Sequence, residues 1–210
     1  MPTLCECSAD ISVIIPVYNL EEYLQPMLDS LLGQDLGDYK AETIFVLNNC
    51  TDASEYVIRD SGLDCTILNC TTQGCGPARN AGFDYSSGRF IWFMDGDDWL
   101  LSTTAIRDAL DIAYAWDTNI LRVPYQSNLY KYQYFSMVWQ YIFKRDFIKE
   151  FRFPDYQPAE DDAYTAAVLS KAGYNTYTYM RMPHIGQNLY FYNYMRDGSN
   201  MFRVAQGEKI

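Results

Sequence analysis

Three carboxylates stand close together near the middle of the chain, directly after an apolar run. The segment RFIWFMDGDDWL places Asp95, Asp97 and Asp98 within four positions of one another. Like charges at this spacing repel, so solvent, a cation or a helix terminus must compensate them. Carboxylate oxygens suit Mg²⁺ or Mn²⁺ rather than zinc, and such a metal typically bridges a diphosphate. The alternative is an acidic turn in which Asp98 caps the following segment.

A glycine-rich turn is a second candidate for anion chemistry. In the segment GCGPARN, which runs from Gly74 to Asn80, a helix start offers backbone N–H groups to a phosphate and Arg79 adds a bidentate donor. The segment is neither a P-loop nor a GxGxxG fingerprint, and glycines mark ordinary turns more often than phosphate sites. Together with the carboxylates, however, it predicts a nucleotide-diphosphate pocket.

A second acidic cluster, Glu160 to Asp162, opens a segment with helical character. Acids in a first helical turn commonly do no more than complement the helix dipole and cap its N–H groups. The other interpretation is a general base that takes a proton from an acceptor hydroxyl group. The residues alone leave both interpretations open.

Composition limits the function classes. The chain has 210 residues, of which 49% are hydrophobic and 16% aromatic, enough for one sizeable core. Its 27 acidic and 16 basic residues exclude the basic footprint of proteins that bind nucleic acid or anionic membranes. No apolar run approaches the roughly 20 residues of a membrane span, and the N-terminus lacks signal-peptide features. We therefore expect no nucleic-acid partner, no integral membrane segment and a cytoplasmic location.

Apolar runs alternate with helical patterns in the first half of the chain. The runs ISVIIPVY, ETIFVL, CTIL and RFIWFM predict four strands, the first of them buried in a parallel sheet. Asn19 is the expected N-cap of the first helix, which Pro26 should delay or kink. Further helices are predicted at 54–60, at about 103–116 and at 160–172, and one opens at the glycine-rich turn. This order predicts a mostly parallel sheet flanked by helices, with a ligand crevice at the carboxyl ends of its strands.

The motifs also resemble a known family when they are taken in order. The series SVIIPVYN, NNCTDAS, GCGPARNAG, FMDGDDWL, VWQYIFKRDFI, AEDDAYTAAVLSKAG and YFYNYMRDGSN is similar to the family 2 inverting glycosyltransferases. Each motif is unspecific alone, but their joint order extends from residue 11 to about residue 201. The resemblance implies a single α/β domain of the GT-A (Rossmann-like) fold.

The resemblance assigns roles to individual residues. It implies that Asp161 is the catalytic base, with Glu160 as the second candidate, and that Asp97 holds Mn²⁺ or Mg²⁺. Asp95 would contact the ribose, while Arg196 and Ser199 would lie on a flap that closes on the pyrophosphate. The residues expected to bind the nucleotide sugar are Pro16, Val17, Tyr18, Asn48, Gly76, Arg79, Asp95, Gly96, Arg196 and Ser199.

The implied activity is metal-dependent transfer of a sugar, with inversion, from a nucleoside-diphosphate sugar to a hydroxyl of a glycan, lipid-linked or protein acceptor. A UDP-sugar is the first expectation for the donor. Within one continuous domain, residues 1–10 form an N-terminal extension, 11–118 a nucleotide-sugar-binding half, and 119–210 an acceptor-binding half with the flap. The alternative is a non-catalytic nucleotide-sugar or glycan binder that keeps the fold. A sugar nucleotidyltransferase would need a basic signature that PVYNLEEYL lacks.

One position departs from the family pattern. Many relatives carry paired aspartates where this chain has Asn48 and Asn49. An aspartate only accepts hydrogen bonds, as the N3–H of uracil requires, whereas an asparagine both accepts and donates. Asn48 is therefore compatible with uracil or with another base, and Asp52 is either a ligand or a helix cap.

The only histidine and several aromatic residues leave alternatives open. His184 is either an additional metal ligand or, as we favour, an ordinary loop residue. Trp99, Trp139 and Tyr141 would stack on a sugar or, more commonly for aromatic residues, pack in the core.

Overall fold

The run ISVIIPV forms a fully buried inner strand of the main sheet, as its largely apolar sequence predicts. The computed structural model describes residues 7–127, 137–155, 160–172, 177–179 and 188–192. Arg196, Ser199 and His184 lie outside these residues, so the flap and the role of the histidine stay predictions. All seven residues of this strand, β1 (Ile11–Val17), are buried.

Two sheets are present in the described part of the chain. The strands of the main sheet are β1, β2 (Ala41–Asn48), β3 (Thr66–Cys70), β4 (Phe90–Phe93), β6 (Ile120–Arg122), β8 (Tyr141–Lys144) and β9 (Tyr177–Tyr179), in the order β3-β2-β1-β4-β8-β6-β9. Strands β1 to β4 are parallel, and β8 runs antiparallel to both of its neighbours. A smaller sheet has the order β5-β10-β7, formed by Trp99–Leu100, Tyr190–Tyr192 and Tyr125–Ser127.

Helices connect the strands and cover both faces of the main sheet. They are α1 (Leu24–Leu32), α2 (Ser54–Asp60), α3 (Cys75–Tyr85), α4 (Ala105–Ala115), α5 (Arg145–Ile148) and α6 (Glu160–Ala172), with one 3₁₀ turn at Val138–Gln140. The bounds of α2 and α6 are those that the sequence predicts. None of the helices among the described residues has both the length and the apolar character that crossing a membrane requires.

The core lies in two layers because alternate residues of a strand face opposite sides of the sheet. In β1, Val13 and Ile15 face a layer with residues of α1, α2 and α4, while Ile14 faces a layer with residues of α3, α5 and α6. A sheet with helices on both faces confirms the predicted α/β class.

The start of α1 differs from the prediction. Asn19 does not cap this helix: its backbone is left-handed, with φ 50°, and its side-chain oxygen accepts a hydrogen bond from Thr51 N at 2.8 Å. The helix begins only at Leu24 because the intervening residues bond to the loop after β2. Pro26 lies in the first turn, where its missing N–H costs no helical hydrogen bond. Leu32, the last residue of α1, is 47% exposed.

Candidate active site

The carboxyl ends of β1, β2 and β4 bring the predicted donor-binding residues to one edge of the sheet. Pro16 and Val17 are buried within β1, and Tyr18 follows with 48% of its surface exposed. Asn48 ends β2. Only Tyr18 among these four thus presents a largely exposed side chain at this edge.

Arg79 connects two predicted parts of the site. Its Nη1 donates to Glu160 Oε1 at 2.9 Å, and its Nη2 donates to Asp95 Oδ1 at 2.8 Å. The side chain is only 4% exposed, and its guanidinium lies 5.3 Å from the ring centroid of Phe153. Burial alone would lower the pKa of Arg79, but Asp95, Cys75, Glu160 and Asp161 raise it, so this residue is a permanent buried cation. In this structure its positive charge pairs with the carboxylates of Glu160 and Asp95.

Asp161 is a carboxylate suited to proton transfer near neutral pH. Burial raises its pKa to about 6. Arg79 counteracts this rise, while Glu160, Asp95 and Asp162 add to it. Glu160 is the most buried acid of the three and is held in the ion pair with Arg79. A carboxylate whose pKa lies near 6 can accept a proton near neutral pH, and the catalytic role of Asp161 stays a prediction.

The loop after β4 is a turn in which the three aspartates differ. Asp98 N donates to Asp95 O at 3.1 Å and closes the turn, whose third residue is the partly exposed Asp97. The Asp98 side chain is fully buried and accepts a hydrogen bond from the Tyr190 hydroxyl. A Cβ at Gly96 would approach the Leu20 Cδ1 methyl to 2.7 Å, so a side chain there would require Leu20 to move. Asp98 is thus part of the turn through both its backbone N–H and its buried side chain.

Asn48 fixes the glycine-rich turn. Its Nδ2 donates to Thr72 O at 2.7 Å and to Cys70 O at 3.1 Å, and its Oδ1 accepts from Gly74 N at 2.8 Å. Gly74 has φ 123°, a conformation that side chains disfavour. At Gly76 a Cβ would lie 2.5 Å from a backbone oxygen, that of Pro154. Backbone conformation thus accounts for Gly74 and packing for Gly76, and the contact of both glycines with a phosphate stays a prediction.

Asp52 caps α2. Its Oδ1 accepts from Ser54 N at 3.1 Å and its Oδ2 from Glu21 N at 3.0 Å. Glu21 Oε2 in turn accepts from Ala53 N at 2.6 Å. The loops after β1 and β2 are therefore tied together beside Tyr18, which supports the interpretation of Asp52 as a cap.

Several aromatic side chains pack beside the aspartate turn. Trp139 and Tyr141 are buried, which confirms the core alternative, and Trp99 stacks on Phe191 with ring centroids 4.1 Å apart. Tyr192 stacks on Trp139 at 4.7 Å. Burial raises the pKa of Tyr192, and the negative charges of Asp95, Asp98, Asp97 and Asp161 raise it further.

Sequence reasoning missed Tyr190 and Tyr192 as components of the site. Their spacing of two residues puts both side chains on one face of β10. The pattern YFY was the available signal, but it did not indicate which face meets the aspartates.

The donor set fits a hard divalent cation only in part. No group of three His, Cys, Asp or Glu residues in the described chain is placed to hold a metal ion. Magnesium, however, is commonly held by one or two carboxylates together with substrate phosphates. Asp97, with its hard oxygens at the exposed part of the turn, fits a site that a bound diphosphate completes.

Comparison with known proteins identifies the family. The model of the family described as glycosyl transferase family 2 matches residues 12–178. The uncharacterized glycosyltransferase EpsJ of Bacillus subtilis is 25% identical over 87% of this chain and 60% of its own length. Glycosyltransferase GlyA of Streptococcus pneumoniae is 42% identical over 94 residues, 43% of this chain and 13% of GlyA. The chain thus spans at most 60% of these two relatives.

Solved structures show the same fold. Residues 1–349 of Staphylococcus aureus TarS in complex with UDP-GlcNAc superpose with a TM-score of 0.79 and 21% identity, over 96% of this chain and 62% of that one. The mannosyltransferase PcManGT from Pyrobaculum calidifontis, in complex with GDP-Man and Mn²⁺, superposes with a TM-score of 0.66 and 16% identity. The match covers 85% of this chain and 58% of that one. The family match over residues 12–178 and the likeness in fold show that the chain belongs to glycosyl transferase family 2, with the GT-A fold.

Proposed function

We propose that this protein transfers a sugar from a nucleoside-diphosphate sugar to a hydroxyl group of an acceptor, with inversion at the anomeric carbon. The observation that carries the proposal is the buried link from Asp95 through Arg79 to Glu160. It ties the turn expected to meet the donor to the start of the helix that bears Asp161. A donor site and a proton acceptor in one rigid unit are what direct transfer between two substrates requires.

The proposed donor is a UDP-sugar. Structures of TarS contain UDP or UDP-GlcNAc, whereas that of PcManGT contains GDP-Man, so the neighbours favour uracil without excluding other bases. We place the nucleoside at Tyr18 beside Pro16 and Val17, and the ribose at Asp95. Because the Asn48 amide is already bonded to backbone groups, we assign it the role of holding the turn before α3.

We assign Asp97 to Mn²⁺ or Mg²⁺, which would stabilise the negative charge on the departing diphosphate. Mn²⁺ or Mg²⁺ is present in the structures of PcManGT and of glucosyl-3-phosphoglycerate synthase from Mycobacterium tuberculosis. Arg196 and Ser199 are proposed to close on the diphosphate, and Arg79 acts from within the protein.

In the proposed reaction, Asp161 takes the proton from the acceptor hydroxyl. The hydroxyl oxygen attacks the anomeric carbon on the face opposite the nucleoside diphosphate, whose bond to the sugar breaks as the new one forms. We assign the base to Asp161 over Glu160 because the Glu160 carboxylate is held by Arg79. The acceptor is a glycan, a lipid-linked sugar or a protein, and a cytoplasmic location is part of this proposal.

Release of UDP from UDP-sugars, measured with each acceptor class in separate reactions, tests the proposal. Asp161→Asn should lower the rate at least about a hundredfold, the usual contribution of a general base. Asp162→Asn, one residue further along the helix, is the matched control and should stay within about threefold of wild type. If Asp161→Asn keeps wild-type rates, the assigned base is wrong. A wild-type protein that binds UDP-sugars but releases no UDP with any acceptor would instead be a non-catalytic binder.

A further inference from the structure

We propose that Tyr190 is a positioning residue that holds the turn from Asp95 to Asp98 in the shape required for the metal and the diphosphate. This inference rests on the proposed function and adds a residue to it. Tyr190 does not reach the reacting atoms in this assignment, because it acts through the turn.

The Tyr190 hydroxyl contacts both ends of the turn. It donates to Asp98 Oδ2 and accepts from the backbone N–H of Asp95, with N and O 3.3 Å apart. The hydrogen bond from Asp98 N to Asp95 O closes the same turn along the backbone. One hydroxyl therefore restrains the first and last residues, and Asp97 stands between them.

The Tyr190 ring is itself fixed. It is fully buried and stacks on Trp139 with ring centroids 4.9 Å apart and planes inclined by 9°. Trp92 Nε1 donates to Trp139 O at 2.9 Å, so the stacking partner is anchored to β4. Strand β10 also pairs with β5, which places Tyr190 opposite Leu100, two residues beyond the turn. The hydroxyl thus has a defined position from which it can orient the turn.

Loss of this hydroxyl has a specific consequence. The buried Asp98 carboxylate would lose a donor, and a buried charge with fewer hydrogen bonds is costly. The turn would then open toward water, and Asp97 would leave the orientation that suits a cation. Partners that orient metal ligands typically contribute about 10- to 100-fold to metal affinity.

The test is a titration of wild type and of Tyr190→Phe with Mn²⁺ at a fixed UDP concentration. The amount of bound UDP is measured at each Mn²⁺ concentration. We expect the half-saturating Mn²⁺ concentration to rise about tenfold or more, while UDP affinity without metal changes less than about twofold. Tyr125→Phe is the matched control, since Tyr125 also packs against Trp139, edge to face at 4.8 Å. It should leave both values at wild-type levels.

A second pair of variants covers instability of Tyr190→Phe. Combining Tyr190→Phe with Asp98→Asn removes the buried charge, and this double variant is compared with Asp98→Asn alone. Here the half-saturating Mn²⁺ concentration should again rise, because the hydroxyl that restrains the turn is missing. Suppose that wild type shows metal-dependent UDP binding and that a folded variant without the Tyr190 hydroxyl has an unchanged half-saturating Mn²⁺ concentration. This result overturns the role of Tyr190 and leaves the proposed function standing. Wild type that shows no metal-dependent UDP binding overturns the proposed donor site as well.

Discussion

Arg79 donates a hydrogen bond to Glu160 across 81 positions of the chain, and both side chains are more than nine-tenths buried. The same guanidinium binds Asp95 at 2.8 Å. One cation therefore holds the turn that follows β4 and the first residue of α6 at a fixed separation. In the proposed reaction this fixed separation helps to set the position of the donor relative to Asp161, the residue after Glu160, and catalysis is sensitive to that position.

Removal of Arg79 should destabilise the fold strongly. Arg79→Ala leaves Asp95 and Glu160 without their buried cation, and breaking a buried pair in this way costs about 3–5 kcal/mol. Urea unfolding measures the loss. Arg59→Ala is the control because it breaks the exposed pair with Glu55, which should contribute less than about 1 kcal/mol. A loss below about 1 kcal/mol for Arg79→Ala would contradict a supporting role.

The rate of transfer should fall in acid with an apparent pKa of about 6, the value to which burial raises the pKa of Asp161. A general base must be ionised, so kcat/KM should decline about tenfold per pH unit below that value. Steady-state kinetics from pH 4.5 to 8 measures the profile, with wild-type unfolding followed at each pH as a control. An acid limb near pH 4 would mean that Asp161 does not control the rate.

Asp161 should also lower the stability of the fold at neutral pH. Its pKa is raised on folding, so as pH rises the unfolded chain ionises first, near 3.8, and stability declines until the folded pKa of about 6 is passed. Asp161→Asn removes this penalty and should gain about 1–3 kcal/mol at pH 8, with the gain vanishing below about pH 4. Denaturant unfolding at both pH values measures it. A gain independent of pH would show that ionisation is not its cause.

The sequence predicts the parallel half of the fold well and the rest poorly. Runs such as ISVIIPV are apolar except for one serine, so a buried strand is visible locally, and α6 shows its acidic start. Strand β8 has only four residues and is stabilised by pairs such as Ile142 with Trp92. Strand β5 has only two, and Leu100 pairs with Tyr190. Such pairs form between distant parts of the chain, which no local pattern reveals.

In the candidate site, too, the residue types are visible in the sequence, whereas the contacts between distant residues are not. Motif order singled out Asp95, Asp97 and Asp161 as chemical residues, because their types and spacing are visible in the sequence. The ion pair of Arg79 with Glu160, and the hydrogen bond from the Tyr190 hydroxyl to Asp98, are not visible in the motifs. These partners lie 81 and 92 positions away, and only folding brings them into contact.

Asn48→Asp should destabilise the protein, although the family resemblance leads one to expect an aspartate at this position. A carboxylate cannot donate to Thr72 O or to Cys70 O, so both carbonyl oxygens would face a negative charge. We expect a loss of about 2 kcal/mol in urea unfolding, within the range for an unsatisfied buried polar group. Asn49→Asp is the control, because Asn49 is exposed. Equal stability of the two variants would contradict the role of Asn48 in holding the turn.

Metal should control nucleotide binding through Asp97. With UDP and Mn²⁺ at about a hundred times the dissociation constant, binding adds about 2.7 kcal/mol and should raise the melting temperature by roughly 5–10 °C. Asp97→Ala should lose the Mn²⁺-dependent part of this shift, as should wild type in EDTA. Asp146→Ala is the control. Asp146 is exposed on α5, which follows the end of β8 that pairs with the start of β4, whereas the turn that bears Asp97 follows the end of β4. If Asp97→Ala kept the full Mn²⁺-dependent shift in melting temperature, the cation would be bound by residues other than Asp97.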